Sequence, residues 1–430
     1  MPDRPSRGQP AAVLQAVLVS VLGVLPAFFV GALAVQIRAD LEVGLAAFGL
    51  ATATLFAVSG LLARPCGQLV QQLGVRRGTA LAAAVATGSL CAVALAQSQA
   101  WLMAALALGG LGNAIAQPSA NLGISELVTE RRLGLAFGIK QSSIPLATLL
   151  GGLAVPGIAL VVGWRWAMGA AALLALSVLL STTVTRRRPS ARRRVAPTGG
   201  PDKGLPRRGL LVLTAGGFLG SAASTSTGVF LVDSGVDAGL SPGAAGLMFA
   251  GCSVVGLASR VGFGWVADRH ADRSRYLFIA NLLTSGALGY VLLASGSVPL
   301  FALGALIAYG LGWAWTGLFH FAIIKDNRVA AASATGSVQT GLSLGAASGP
   351  LGFGLVAQAT SYRTAWLMAA ALSLAAALTV RAGRRMVRQS RGLPVSTHRR
   401  SGDATAGLPE VQSPARQSLV PPTSPRPSPA

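Results

Sequence analysis

Lys140 stands inside an apolar run, Ala136-Phe-Gly-Ile-Lys140-Gln141, where a charged side chain costs free energy and so asks for a function. It lies eight positions past Arg132, about 12 Å further along a helix that rises about 1.5 Å per residue. Two readings follow. The side chain can snorkel its ammonium back to the interface. Or the ammonium can stay at depth as a fixed cation for an anionic solute, where charge-assisted bonds are strong. Gln141 and Gln339 add neutral donors and acceptors at equivalent depth. Asn113, Gln117 and Asn121 are spaced i, i+4, i+8 and share one helix face, which lines a cavity or bonds a neighbouring helix. The matching face of a later run carries Trp313 and Gly317, with His320 beyond them. His320 is a candidate proton carrier, because imidazole is the side chain that titrates near neutral pH; the alternative is an interfacial histidine near Lys325. Most of the hydroxyls among Ser221, Ser224, Thr225, Ser226 and Thr227 are expected to bond back to their own helix.

What is missing narrows the chemistry. No carboxylate stands in the middle of any apolar run, and His, Asp and Glu do not cluster at one depth. Intramembrane hydrolysis or metal chemistry would need such groups, so no catalytic residue, metal or cofactor is expected. Nothing fits the phosphate-cradling pattern G-x-x-x-x-G-K-S/T, so a solute pathway here would run on gradients, with a proton or sodium ion as coupling ion. Cys66, Cys91 and Cys252 lie far apart in apolar runs and form no disulfide frame.

The elements that position these residues follow from composition. Of 430 residues, 52% are hydrophobic and only 11% charged, against about 25% in ordinary soluble domains. That charge cannot cover a soluble surface, and the hydrophobicity excludes disorder over most of the length. Crossing a bilayer takes about 20 mostly apolar residues. Twelve such runs are read, at roughly 11–36, 43–63, 78–97, 101–125, 133–162, 166–184, 209–232, 241–259, 276–295, 299–324, 329–357 and 364–381. They are too long and too little alternating for strands. Backbone groups in lipid must bond within their own segment, which leaves helix. The first run follows Arg4 and Arg7 but exceeds a signal-peptide core, and it is read as a retained span.

Charge sets the orientation. With the N-terminus in the cytoplasm, every one of the 35 Lys and Arg residues falls on the inner side except Arg38, Arg165 and Arg363, and Asp40, Glu42, Asp233 and Asp237 face out. The net charge of +22 is therefore topological, and nucleic acid is not needed to explain it. The expectation is a multi-pass protein of the cytoplasmic membrane with both termini inside, its partner the lipid bilayer, whose anionic inner leaflet adds attraction. Trp101, Trp164, Trp166 and Trp366 read as interfacial anchors. The organisation reads as a short N-terminus (1–10), six spans (11–184), a basic Pro/Gly-broken linker (185–208), six spans (209–383) and a disordered Pro/Ser/Arg-rich tail (384–430).

The two sets of six repeat each other at an offset of about 198 residues. Gly67-Gln-Leu-Val-Gln71 pairs with Gly264-Trp-Val-Ala-Asp268, Gly110-Leu-Gly112 with Gly310-Leu-Gly312, Ala136-Phe-Gly-Ile-Lys-Gln141 with Ala334-Thr-Gly-Ser-Val-Gln339, and Trp164-Arg165 with Tyr362-Arg363. The fold class expected is an all-α membrane protein, twelve transmembrane helices in two pseudo-symmetric six-helix bundles, an architecture of secondary transporters.

These residues resemble the major facilitator superfamily, over residues 11–383. Its loop signature is approximately G-x-L-A-D-R-x-G-R-R. The copy at Gly264-Trp-Val-Ala-Asp268-Arg269 keeps the Asp-Arg core. The copy starting at Gly67 keeps its glycines and the terminal Arg76-Arg77 but has Gln71 and Gln72 at the acidic and basic positions. The resemblance implies alternating access for a small-molecule substrate, a monomer, and an asymmetric gate in which Asp268 and Arg269 carry most of the conformational bias. The bland alternative for that pair is a solvated ion pair worth ~0–1 kcal/mol. In the family the first, fourth, seventh and tenth helices line the cavity, which places Asn113, Gln117 and Trp313 there. The run from Ala136 to Ser142 also looks like one in members near the cyanate and related small-anion transporters. Leu106 stands where drug/proton antiporters usually carry Arg, and their Gly-Pro pair is absent from span 5, where Pro145 follows Ile144. A small organic anion is the expected solute. Efflux of hydrophobic or drug-like compounds is the alternative, and a membrane-embedded enzyme or sensor ranks below both.

Overall fold

A computed structural model of the chain describes residues 9–127, 133–184, 205–269, 274–327 and 331–390. The described residues are helical, with no strand among them. In chain order the helices are α1 (Gln9–Ala32), α2 (Ala34–Leu41), α3 (Leu45–Ala94), α4 (Gln99–Leu127), α5 (Leu133–Gln141), α6 (Ser143–Ala154), α7 (Leu160–Val162), α8 (Trp164–Val184), α9 (Arg207–Asp237), α10 (Pro242–Arg269), α11 (Arg275–Leu293), α12 (Val298–Gly310), α13 (Trp315–Asp326), α14 (Ala331–Ala359) and α15 (Tyr362–Ser390). A π-helical turn, Val155–Ala159, joins α6 to α7.

Among the described residues, 11 helices are long and apolar enough to cross a membrane. One of them, α3, has 50 residues and is broken by Gly74 at φ 77°, ψ 169°, a backbone region that glycine enters without penalty. It is two spans joined by a kink, which makes twelve. Spans 1, 5 and 10 are composites: α1 with α2, α5 through α7, and α12 with α13. Their breaks sit at Leu33, at Ser142 and in the turn 311–314. Pro145 follows the second break and removes one helical donor there.

Two halves of six spans each enclose the core, and they meet most closely at the end opposite Gln9 and Ser390, here the far side. A Cβ on Gly49 would lie 2.3 Å from the Pro350 carbonyl, one on Gly354 2.4 Å from that of Leu45, and one on Gly31 2.7 Å from that of Gly228. Backbones this close need glycine, the usual means of tight helix packing in lipid, where no hydrophobic force draws helices together. Phe230 stacks on Phe353 with ring centroids 4.9 Å apart, beneath these contacts. Polar ties cap the same end. The Arg38 guanidinium of α2 pairs with Asp233 of α9, the Tyr362 hydroxyl donates to the same carboxylate oxygen at 2.5 Å, and the Ala46 N–H donates to Gln358 Oε1 at 2.9 Å. Two of the tryptophans expected at the interface, Trp101 and Trp166, are exposed, whereas Trp164 and Trp366 are buried in helix packing. Trp164 Nε1 donates to Asp40 at 3.3 Å, and Trp366 stacks on Tyr290 at 6.0 Å.

Candidate functional site

Below the far-side contacts the halves separate around a cavity of about 90 Å³, room for several waters or a small solute. Spans from both halves line it. Span 1 gives Val24 and Phe28, span 2 Phe56, span 4 Asn113 and Gln117, and span 5 Gln141 and Ile144. The second half adds Ser221 and Thr225 from span 7, Trp313, Thr316 and His320 from span 10, and Gln339 and Ser343 from span 11. One wall is aromatic: Phe28 lies 6.0 Å from Phe56 and 5.5 Å, edge on, from Trp313.

The opposite wall is a relay of hydrogen bonds. Lys140 Nζ donates to Gln117 Oε1 at 2.6 Å. Gln117 Nε2 donates to Asn113 Oδ1 at 3.1 Å, and Asn113 Nδ2 donates to Ser59 Oγ at 2.9 Å. The i, i+4 spacing of Asn113 and Gln117 on α4 makes this chain possible. Asn121, one turn further, is exposed and takes no part in the lining. Lys140 is 5% exposed: its ammonium turns inward to Gln117 rather than outward to an interface.

A second relay crosses between the halves. His320 Nδ1 lies 3.3 Å from Gln141 Nε2 of the first half, and His320 Nε2 lies 3.1 Å from Gln339 Oε1 of the second. The Thr316 carbonyl is 2.9 Å from Nδ1, and Gln339 Nε2 donates to Ser343 Oγ at 3.4 Å. Gln141 and Gln339, equivalent in the repeat, thus flank one imidazole. The sequence left an interfacial place open for His320; the fold puts it in the cavity lining. Of the span 7 hydroxyls, Ser226 and Thr227 bond back to their own helix at 2.9 and 3.3 Å. Ser221 reaches the Leu342 carbonyl at 2.8 Å, and Ser224 accepts from Trp315 Nε1 at 3.4 Å.

The residues of the expected gate lie apart from the cavity. Gly264 is buried, and a Cβ on Gly138 would come within 3.4 Å of its Cα. Arg269 stacks on the Trp265 ring at 3.8 Å. Arg76 Nε donates to the Thr182 carbonyl at 2.9 Å, Arg77 is exposed, and Gly67 has open space where a side chain would be. Asp268 belongs to the last turn of α10, and its side chain lies outside the described residues.

Two features escape the sequence reading. Arg260, counted there among the inner-loop charges, is 2% exposed and lies within the span Pro242–Val266. The signal was present: Val261-Gly-Phe-Gly-Trp-Val266 continues the apolar run beyond the arginine, which marks a charge inside a span rather than its end. Its guanidinium donates to the Gln141 carbonyl at 3.2 Å and the Trp313 carbonyl at 3.1 Å, and lies 5.4 Å from the Trp313 ring centroid. The second feature is a buried hydroxyl cluster across the halves. Thr148 of α6 bonds both Ser253 of α10, at 2.8 Å, and the Tyr309 hydroxyl of α12. Single Ser and Thr residues in apolar runs give no such warning, because most of them bond their own helix.

The family model described as Major Facilitator Superfamily matches residues 16–329 and, a second time, 213–421. No curated protein matches the chain. A bacterial homologue of the human lysosomal transporter Spinster has the same fold in its inward-facing, unoccupied conformation, with TM-score 0.69 and 16% identity over 89% of this chain and 98% of that one. The same homologue in its inward-facing, occupied conformation gives TM-score 0.69 and 16% identity over 90% and 98%. The human organic anion transporter MFSD10 (TETRAN) gives TM-score 0.64 and 18% identity over 88% and 100%.

Proposed function

The chain belongs to the major facilitator superfamily, a family of transporters, and from that premise we propose that it is a secondary transporter of small organic anions working by alternating access. The observation that carries the anion reading is the setting of Lys140. Its ammonium is buried behind the cavity lining and bonded to the neutral amide of Gln117, which lines the cavity. Neither of the two ion pairs between described residues includes it; both, Arg38–Asp233 and Arg165–Asp40, lie on the far side. A buried charge without a partner is costly, and an anionic solute removes that cost each time it binds. MFSD10 is named as a human organic anion transporter. At 18% identity the likeness supports the fold alone, so the solute class rests on Lys140.

Around that cation, Asn113, Gln117, Gln141 and Gln339 are the neutral groups that orient the solute, with Trp313 as its apolar platform. His320 is the proton site that couples transport to a gradient, since it bridges amides of both halves. The halves are joined on the far side, and α5 also packs on α10 on the side of Gln9 and Ser390, where a Cβ on Gly138 would lie 2.9 Å from the Arg260 carbonyl. Lys and Arg crowd that side, which supports a cytoplasmic-membrane protein with both termini inside. Asp268, Arg269, Gly264, Gly67, Arg76 and Arg77 form the gate on that same side. We read the carrier as a monomer.

Efflux of hydrophobic compounds is the second reading, favoured by the wall of Phe28, Phe56 and Trp313. Counterflow of labelled anions in proteoliposomes separates the two. Lys140→Ala should abolish anion exchange while the purified protein stays monodisperse. Anion exchange at wild-type rate in that variant ends the cation role of Lys140.

A further inference from the structure

Two cations are buried beside the cavity, Lys140 and Arg260, 5% and 2% exposed. Were both open to the solute, a dianion would be its natural match. Their surroundings make them unequal. Gln141 is the last residue of α5, and its carbonyl has lost the ordinary helical donor because the residue four places on is Pro145. Arg260 supplies that donor, at 3.2 Å, and gives a second bond of 3.1 Å to the Trp313 carbonyl in the turn after α12. One guanidinium therefore closes both helix breaks. Two backbone carbonyls, one of them at the C-terminal, partly negative end of α5, and the Trp313 ring together hold the guanidinium. Half-helix C-termini hold cations in other membrane carriers by this means. The indole of Trp313 lies against the guanidinium, and Trp313 and Gln141, whose carbonyls it bonds, line the cavity, whereas neither Arg260 nor Lys140 does so itself.

Lys140 has one such contact where Arg260 has three. Its bond goes to the Gln117 amide oxygen, which bears no net charge, and Gln117 itself lines the cavity. Lys140 is thus the less committed of the two cations. Deepening the anion reading above and resting on it, we infer that the transported solute is a small monoanion, and that dianions are excluded. A second negative charge would be desolvated against neutral amides and the Phe28, Phe56 and Trp313 rings, with no cation to meet it.

The test compares matched pairs on the wild-type, full-length protein in proteoliposomes at pH 7.5: propionate with malonate, butyrate with succinate, benzoate with terephthalate. The expected result is counterflow of at least one monoanion tenfold or more above its dianion partner, the dianions staying at the level of protein-free liposomes. Arg260→Lys should slow that exchange without admitting a dianion, because the crossbar is weakened while no solute contact changes. Dianion exchange equal to or faster than that of the monoanions overturns the inference and leaves the anion reading standing. So does a wild type that accepts dianions together with an Arg260→Gln variant that accepts only monoanions, since Arg260 would then be a second solute cation. Failure of all six to exchange overturns both. The comparison within each pair needs no variant, so it survives if Arg260 variants fail to fold.

Discussion

Asp233→Asn should loosen the far side, by an amount the structure sets. One carboxylate oxygen of Asp233 pairs with Arg38 and accepts from Tyr362, tying spans 1, 7 and 12 together, and the Arg38 link crosses between the halves. The Asp233 side chain is 8% exposed and that of Arg38 26%. Removing one partner of a buried ion pair typically costs about 3–5 kcal/mol. Arg38 can turn partly to water, so the lower figure, about 3 kcal/mol, applies. When the far side opens, all three groups are solvated, and the loss falls on the closed form alone. At about 1.4 kcal/mol per factor of ten, the ratio of closed to open falls about 100-fold. The glycine contacts and the Phe230–Phe353 stack remain, so a closed population persists. The assay is the distance between spin labels at Ala39→Cys and Ala244→Cys, both exposed on the far side in opposite halves, with Cys66, Cys91 and Cys252 replaced. Longer distances should appear in Asp233→Asn. In Asp40→Asn they should not, because the Asp40–Arg165 pair lies within one half and is largely exposed. Equal distance distributions in wild type and Asp233→Asn, or an equal shift in Asp40→Asn, refute the latch.

Three further outcomes are expected. Gly49→Val must push α3 away from the Pro350 carbonyl, 2.3 Å from the added Cβ. An overpacking cost of about 1–3 kcal/mol should lower the melting temperature, whereas Gly262→Ala, which meets open space, should not. Asp268→Asn should impair transport while leaving membrane insertion intact, as pulse-labelled insertion and proteoliposome uptake would report together. His320→Gln keeps a hydrogen-bonding group between Gln141 and Gln339 but carries no proton; exchange should persist while uptake driven by a proton gradient is lost.

The span pattern was legible because bilayer thickness imposes a length and an apolarity that few residues can disguise. Even Gly74, where α3 turns without unwinding, left the count of twelve intact. The polar residues were legible by type and depth: Lys140, Gln141, Asn113, Gln117, Gln339 and Trp313 were singled out because each is costly or bulky in an apolar run. Their pairing was not legible. That Lys140 reaches Gln117, or that His320 stands between Gln141 and Gln339, depends on how spans 4, 5, 10 and 11 turn about their own axes. Packing sets that rotation, and in these runs so many residues are apolar on every face that periodicity does not reveal it.

Arg260 shows why depth must be argued from partners. A charge ends an apolar run only if the chain has no better way to satisfy it. Here the better way lies in two other spans: Pro145 frees the Gln141 carbonyl, and the turn 311–314 presents that of Trp313. Neither break alone would hold a guanidinium in an apolar setting, and without Arg260 both carbonyls would be left short of a donor. The breaks and the arginine are therefore one device, distributed over spans 5, 8 and 10. The device also bears on what the cavity can offer a solute, because an arginine held by two carbonyls and an indole is less available to it. With Pro145 replaced and the helix closed, Arg260 would keep only the Trp313 carbonyl and ring, and a second cation would be freer to meet a solute.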